Sequence, residues 1–172
     1  MASAAPLRPP VPLTRRHNHD SFDCGSEPLN TYLKQSAWVS QQSGAARTYV
    51  ATHGNQIVGY YTLAYGSVEH ERASARVRKG LARHPIPVMV LARLAVDRSY
   101  QGRGLGKGLL KDALLRTLQA ADIAGLRAVI VHAKDEDAKG FYTNFAFEPS
   151  PVDEFHLMLL LKDLRRVVTG PG

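Results

Sequence analysis

The residues Gln101-Gly102-Arg103-Gly104-Leu105-Gly106, followed by Lys107, carry the strongest chemical signal in the chain. Glycines at alternate positions let a backbone approach a bound group with no Cβ in the way. Where such a turn joins a strand to a helix, unpaired N–H groups and the helix dipole together make an anion site. Arg103 and Lys107 add charge-assisted contacts. Two familiar phosphate patterns fail here. The G-x-x-x-x-G-K-[ST] loop lacks its Ser or Thr, because Lys107 is followed by Gly108. The dinucleotide fingerprint lacks its third glycine, since residue 107 is lysine, and no acidic ribose ligand follows at the expected distance. Taken alone, the turn reads either as a phosphate cradle or as a tight strand-to-helix connection.

Other reactive side chains are fewer. Tyr142 lies beside Phe141 and near Phe145 and Phe147, a spacing that by itself reads as aromatic core. His132 falls at a strand end, where a histidine is more often structural than catalytic. Glu136 and Asp137 suit the start of a helix rather than a general base. Cys24 reads as a buried apolar residue. His17 and His19 have no further ligands near them in sequence, so no metal site is expected.

The elements that must position these groups follow from periodicity. With 172 residues and 44% hydrophobic content, the chain fits one domain. We expect a flexible leader over 1–12, a domain over 13–164 and a short tail over 165–172. No apolar run approaches the roughly 18–20 residues needed to span a bilayer, and the N-terminus lacks an apolar signal core, so the cytoplasm is the expected compartment. A single cysteine excludes an intramolecular disulfide framework and a multi-cysteine zinc site. The net charge of +7 favours polyanions, or the phosphates of a nucleotide cofactor.

Ser26 to Ser43 reads as a helix with Ser26 as N-cap, Pro28 in the first turn and Leu29, Leu33 and Ala37 on one face. A hairpin follows, Arg47 to Thr52 and Gln56 to Tyr65. If Gly66 to Pro87 is helical, Arg72, Arg76, Lys79 and Arg83 share one face before Pro85 and Pro87 break it. Val88 to Val96 reads as a strand buried on both faces. The pattern of Leu105, Leu109, Ala113, Leu114 and Leu118 predicts a helix, followed by a strand over Ala128 to His132, a short helix over Asp137 to Phe145 and a strand over Phe155 to Leu161. A strand, a helix and a strand in that order predict a parallel pair within a mixed α/β sheet.

On these residues the chain resembles the GNAT acetyltransferases. Leu94-Ala95-Val96-Asp97 with Gln101-x-x-Gly104-x-Gly106 is similar to their motif A, and Ala138 to Phe147 is similar to their motif B. Two departures stand out: Ala146 occupies a usual glycine, and Asp135 a frequent asparagine. The resemblance implies an α/β GNAT fold, a mixed, mostly antiparallel sheet with a central splayed parallel pair and flanking helices. It implies acetyl-CoA as co-substrate and no metal. It assigns the cofactor to Gln101, Gly102, Arg103, Gly104, Leu105, Gly106 and Lys107, with the pyrophosphate on the N–H groups of Gly102 to Lys107, and the pantetheine arm to the backbone of Leu94, Ala95 and Val96. An N–H of Ala95 or Val96 would meet the thioester carbonyl, and Tyr142 would return a proton to the departing thiolate.

Phe22-Asp23-Cys24-Gly25 leading into a helix, Gly59 to Leu63, and Pro85 to Asp97 further resemble the GNAT toxins of bacterial toxin–antitoxin pairs, of the TacT/AtaT type. That resemblance implies acetylation of the α-amino group of aminoacyl-tRNA, which blocks translation, and a ribbon-helix-helix antitoxin whose complex binds operator DNA. It also implies a homodimer. Lys34, Arg72, Arg76, Arg78 and Arg93 are the candidate RNA contacts. The alternatives are a GNAT enzyme acting on a protein N-terminus, a polyamine or a small-molecule amine, and a degenerate GNAT fold serving as a sensor.

Overall fold

The computed structural model describes residues 7–169. The chain divides into two compact units, Met1–Ala64 with Arg93–Asp112, and Tyr65–Ala92 with Ala113–Gly172. In the first, β1 (Val11–Pro12) pairs antiparallel with β2 (Arg47–His53), which pairs antiparallel with β3 (Gln56–Val68), the latter running on into the second unit. Between β1 and β2 lie α1 (Glu27–Thr31), a π-helical turn over Tyr32–Ser36, and α2 (Ala37–Ser43). The expected helix over 26–43 is therefore present, with a wider turn at its centre. Its apolar face, Leu33 and Ala37, closes a core with Leu13, Phe22, Val50, Ile57, Tyr60 and Ala95. Phe22 meets Tyr60 edge-on at 5.6 Å.

In the second unit, the end of β3 is followed by a 3-10 turn at His70–Arg72 and by α3 (Ala75–Arg78). Then come β4 (Ile86–Val96), which extends into the first unit, and α4 (Leu105–Ala121), which starts in the first unit and ends in the second. They are followed by β5 (Ala128–His132), α5 (Glu136–Thr143), β6 (Glu148–Ser150), β7 (Asp153–Leu160) and α6 (Leu161–Thr169). β4 and β5 are parallel, from Val88 opposite Ala128 to Leu91 opposite Val131, as the strand–helix–strand order predicts. β5 pairs antiparallel with β7, and β7 with β6. Val68, Ala73, Val77, Ile86, Val88, Ala128, Ile130, Met158 and Leu160 form the core.

Three expectations are corrected. The leader expected over 1–12 lies outside the described residues at 1–6, but Val11–Pro12 form β1, an edge strand where proline's missing N–H costs no ladder bond. The tail expected over 165–172 lies outside them at 170–172, but 165–169 continue α6, because Leu164 and Val168, one turn apart, are both buried. The segment 66–87 is not one helix. Ser74 caps α3 by accepting from the Val77 N–H, and after a single turn Lys79 leaves helical geometry, followed by Gly80 at φ +78°. Arg72, Arg76, Lys79 and Arg83 therefore form no helical stripe. Among the described residues no helix is long and apolar enough to cross a membrane.

Candidate functional site

The glycine turn is built from the main chain and strapped down by side chains. β4 ends at Val96, and Asp97 then accepts from the Ser99 N–H at 3.0 Å, the Ser99 hydroxyl at 2.6 Å and the Asp23 N–H at 3.0 Å. Partial burial pushes the Asp97 carboxyl upward in pKa, but the bonds from Ser99 and Asp23 outweigh it and hold the group below its ordinary value. Gly102 (φ +78°) and Gly104 (φ +84°) sit in left-handed conformations, and α4 starts at Leu105. A Cβ built at either glycine meets nothing within 4 Å. The demand for glycine therefore comes from the backbone angle, and the space left open over the turn is accessible to a ligand. The first N–H groups of a helix have no partner within it, so the turn presents donors at the positive end of 17 residues of helix. This arrangement fits a pyrophosphate. The Arg103 guanidinium lies 5.2 Å above the Tyr100 ring, which places its charge beside the turn.

Gln101 does something the sequence did not reveal. Its amide donates to the carbonyls of Val96 (2.9 Å) and Cys24 (3.1 Å), tying the turn to the strand end and to the Phe22–Gly25 segment. It is thus a positioning residue for the turn. That segment is held in turn by Asn30, which is buried, accepts from the Cys24 N–H at 2.9 Å and donates to Asp23 at 3.0 Å. The Arg98 N–H donates to the Asp23 carbonyl at 2.8 Å. Asp23, Asn30 and Asp97 were not singled out as site residues. The signal was present in Phe22-Asp23-Cys24-Gly25 and in the Asp97 that closes β4, but not the pairing between them. Cys24 is half-buried rather than buried, and packs against the core of the first unit. Of the strand residues expected to hold pantetheine, Ala95 is buried and Leu94 and Val96 are half-buried. The β4–β5 ladder ends at Leu91, before them.

In the second unit, Tyr142 is 6% exposed, on α5, with Phe141 at 5.1 Å and Phe147 at 5.5 Å, both edge-on. Burial pushes its hydroxyl pKa up, so the proton stays on at neutral pH. The aromatic packing expected from spacing is present, and it fixes the ring that carries this donor. Asp135 caps α5, accepting from the Ala138 N–H at 2.8 Å. Ala146 adopts φ +70°, alone among the described non-glycine residues in having positive φ, which accounts for the glycine usual at this position. His132 is exposed and faces His156 across the β5–β7 pair, with ring centroids 5.9 Å apart. Glu136 and Asp137 are exposed in the first turn of α5, as expected of helix-start carboxylates.

The candidate RNA contacts fall in both units. Lys34 is exposed on the π-helical turn, and the Arg93 guanidinium stacks 3.6 Å over Tyr32, both in the first unit. Arg72 is exposed in the second unit, and Arg78 is half-buried at the end of α3. Arg76 is committed internally: it donates to Asp163 at 3.0 Å and lies 3.6 Å from Glu148. The first carboxylate is largely buried, so this pair is structural. His17 accepts from the Thr14 N–H and His19 lies 3.5 Å from Asp20. Among the described residues no three His, Cys, Asp or Glu side chains converge.

Comparison with known proteins places this geometry. Residues 44–149 match the model of the acetyltransferase (GNAT) domain. Over 148 residues the chain is 49% identical to a tRNA-acetylating toxin of Mycobacterium tuberculosis (strain ATCC 25618 / H37Rv), covering 86% of this chain and 89% of that protein. A probable toxin TacT of Sinorhizobium fredii (strain NBRC 101917 / NGR234) is 24% identical, over 89% of this chain and 90% of its own. Among solved structures, AtaT complexed with acetyl-methionyl-tRNAfMet superposes with a TM-score of 0.86 at 30% identity, covering 95% of this chain and 100% of that one. AtaTR bound with acetyl-CoA gives 0.81 at 31% identity, over 95% of this chain and 98% of that one.

Proposed function

The chain belongs to the GNAT acetyltransferase family, and from that premise we propose that it is the toxin of a toxin–antitoxin pair, transferring acetyl from acetyl-CoA to the α-amino group of aminoacyl-tRNA in the cytoplasm. The observation that carries this reading is the near-full-length similarity to a tRNA-acetylating toxin. The turn geometry supports it independently on the donor side.

When bound, acetyl-CoA supplies the acetyl group as a thioester. The N–H groups from Gly102 to Lys107 hold the pyrophosphate, and the main chain of Leu94 to Val96 holds the pantetheine arm. A main-chain N–H of Ala95 or Val96 donates to the carbonyl oxygen being attacked. An α-amino group has an ordinary pKa near 8, so a useful fraction is neutral without a strong base. As the N–C bond forms and the C–S bond breaks, the amine's surplus proton passes to solvent, the sulfur takes the proton held on Tyr142, and the Tyr142 phenolate then recovers a proton from solvent. The products are N-acetyl-aminoacyl-tRNA and CoA.

By the same reading, a ribbon-helix-helix antitoxin neutralises the enzyme, the complex binds operator DNA, and the toxin is a homodimer. The direct experiment incubates the protein with labelled acetyl-CoA and either charged or uncharged total tRNA. Label on charged tRNA alone is expected. Label only on protein or small amines overturns the acceptor assignment and leaves the family in place.

A further inference from the structure

A cavity of about 460 Å³ in the second unit is ringed by Arg76, Lys79, Arg127, Lys162 and Arg165, with no acidic side chain in its lining. Its walls are the end of α3, the residues entering β5, and the first turn and a half of α6. The Leu161 N–H donates to the Arg127 carbonyl at 3.0 Å and the Arg127 N–H to the Pro87 carbonyl at 2.9 Å, which fixes two of those walls to each other and to β4.

The five cations are not equivalent. Arg76 is neutralised by Asp163 and Glu148, the carboxylates on its other side. Arg127 donates to the carbonyls of Val77 (2.8 Å), Lys79 (3.2 Å) and Arg76 (3.3 Å), so it caps α3 yet keeps its full charge. Lys79, Lys162 and Arg165 are exposed, and none of these three or Arg127 forms an ion pair among the described residues. Four like charges around one concavity repel each other, a cost that an anion removes. Such charge, with Lys as a point cation and Arg as a fork, matches non-esterified phosphate oxygens. The cavity is also much larger than one phosphate ion.

We infer that this cavity is a binding site for the phosphodiester backbone of RNA, with Lys79, Lys162 and Arg165 as its contacts and Arg127 as a fixed charge behind them. The inference rests on the proposed tRNA substrate. It replaces the supposed helical stripe with a site whose walls are held by main-chain bonds. Contacts of this kind position an RNA without reading its sequence.

The test measures uncharged tRNA binding to the full chain by fluorescence anisotropy across a salt series. Lys162→Glu with Arg165→Glu is expected to weaken binding by about tenfold or more and to reduce the log–log salt slope by about 1 to 2. In acetylation assays the same variant raises KM for charged tRNA and leaves kcat and the KM for acetyl-CoA unchanged. Lys79→Glu, on a different wall, gives the same direction of change and stands in if the double variant melts early. Wild-type affinity and slope in both variants overturn the inference. So does intact tRNA binding with loss of binding to an acidic peptide, which assigns the cavity to a protein partner. If the wild type acetylates no charged tRNA yet still binds tRNA through this cavity, the acceptor assignment fails and the site stands. Acetylation with a tRNA KM indifferent to the variants overturns the site alone.

Discussion

The two units of this chain offer different parts of the polypeptide to the proposed reaction. In the first, the candidate surface is main chain: N–H groups after Gly102 and Gly104, held by the Gln101 amide and the Asp97 carboxylate. In the second it is side chain: the buried Tyr142 hydroxyl and a ring of Lys and Arg. A main-chain site depends on angles that only a few residue types permit, so it is written locally. A side-chain site depends on who sits opposite, which is decided by packing. Substitutions in the glycine turn should therefore act on donor binding, those at Tyr142 on turnover, and those around the basic cavity on acceptor binding.

The largest test of this division is Tyr142→Phe. It is expected to lower kcat by roughly 10²–10³, the scale of one general acid, with the acetyl-CoA Kd and the Tm nearly unchanged because the ring stays packed. Steady-state kinetics beside calorimetric titration would read both, and an unaltered kcat would return Tyr142 to the aromatic core. Gly104→Val comes next. A β-branched residue at φ +84° costs on the order of 1–3 kcal/mol, so the acetyl-CoA Kd should rise by about tenfold or more while kcat at saturation changes little. A wild-type Kd would mean that the turn's angle is not what holds the donor.

Ala146→Gly probes main chain inside the second unit. Relief of φ +70° should stabilise the fold by about 1 kcal/mol, seen as a raised Tm with kcat unaffected. A lowered Tm would show that the alanine methyl has a packing role. The smallest effect concerns pH. Burial, then the nearby His132 and Arg72, hold His156 below its ordinary value of 6.5. Between that lowered pKa and 6.5 the unfolded chain binds a proton that the folded chain does not. Stability should therefore fall as pH drops through this window, and His156→Gln should flatten the slope of denaturant-derived stability there. An identical slope in the variant would assign the acid sensitivity to other groups.

The same contrast explains what the sequence made legible. The strand–turn–helix over 88–121, with its glycine turn, and the parallel pairing with 128–132 follow from apolar periodicity and residue type, which are local; the left-handed angles at Gly102 and Gly104 come from the structure. The basic segment 66–87 reveals its charge but not its shape. Its one helical turn is cut short by Lys79 and Gly80 and capped by Arg127, about 50 residues away. Arg76, an RNA contact expected from the sequence, is paired with Asp163, 87 positions on. α6 is absent from the reading of the sequence, which ends in a strand to Leu161 and a tail from Arg165, because two apolar residues one turn apart make a weak pattern. Asp23, Asn30 and Asp97 were missed because their chemistry is mutual, with Asp23 and Asp97 meeting across 74 residues.

Gln101 carries a last consequence. Its amide group faces two carbonyl oxygens at once, so the site tolerates only a side chain that ends in hydrogens. Glutamate is nearly identical in shape, yet it would set lone pairs against lone pairs. A change of a single terminal group should then disturb the cradle more than cutting the side chain back to alanine, which leaves room for water. The turn therefore selects for an N–H donor at the tip of residue 101 rather than for side-chain volume or polarity alone.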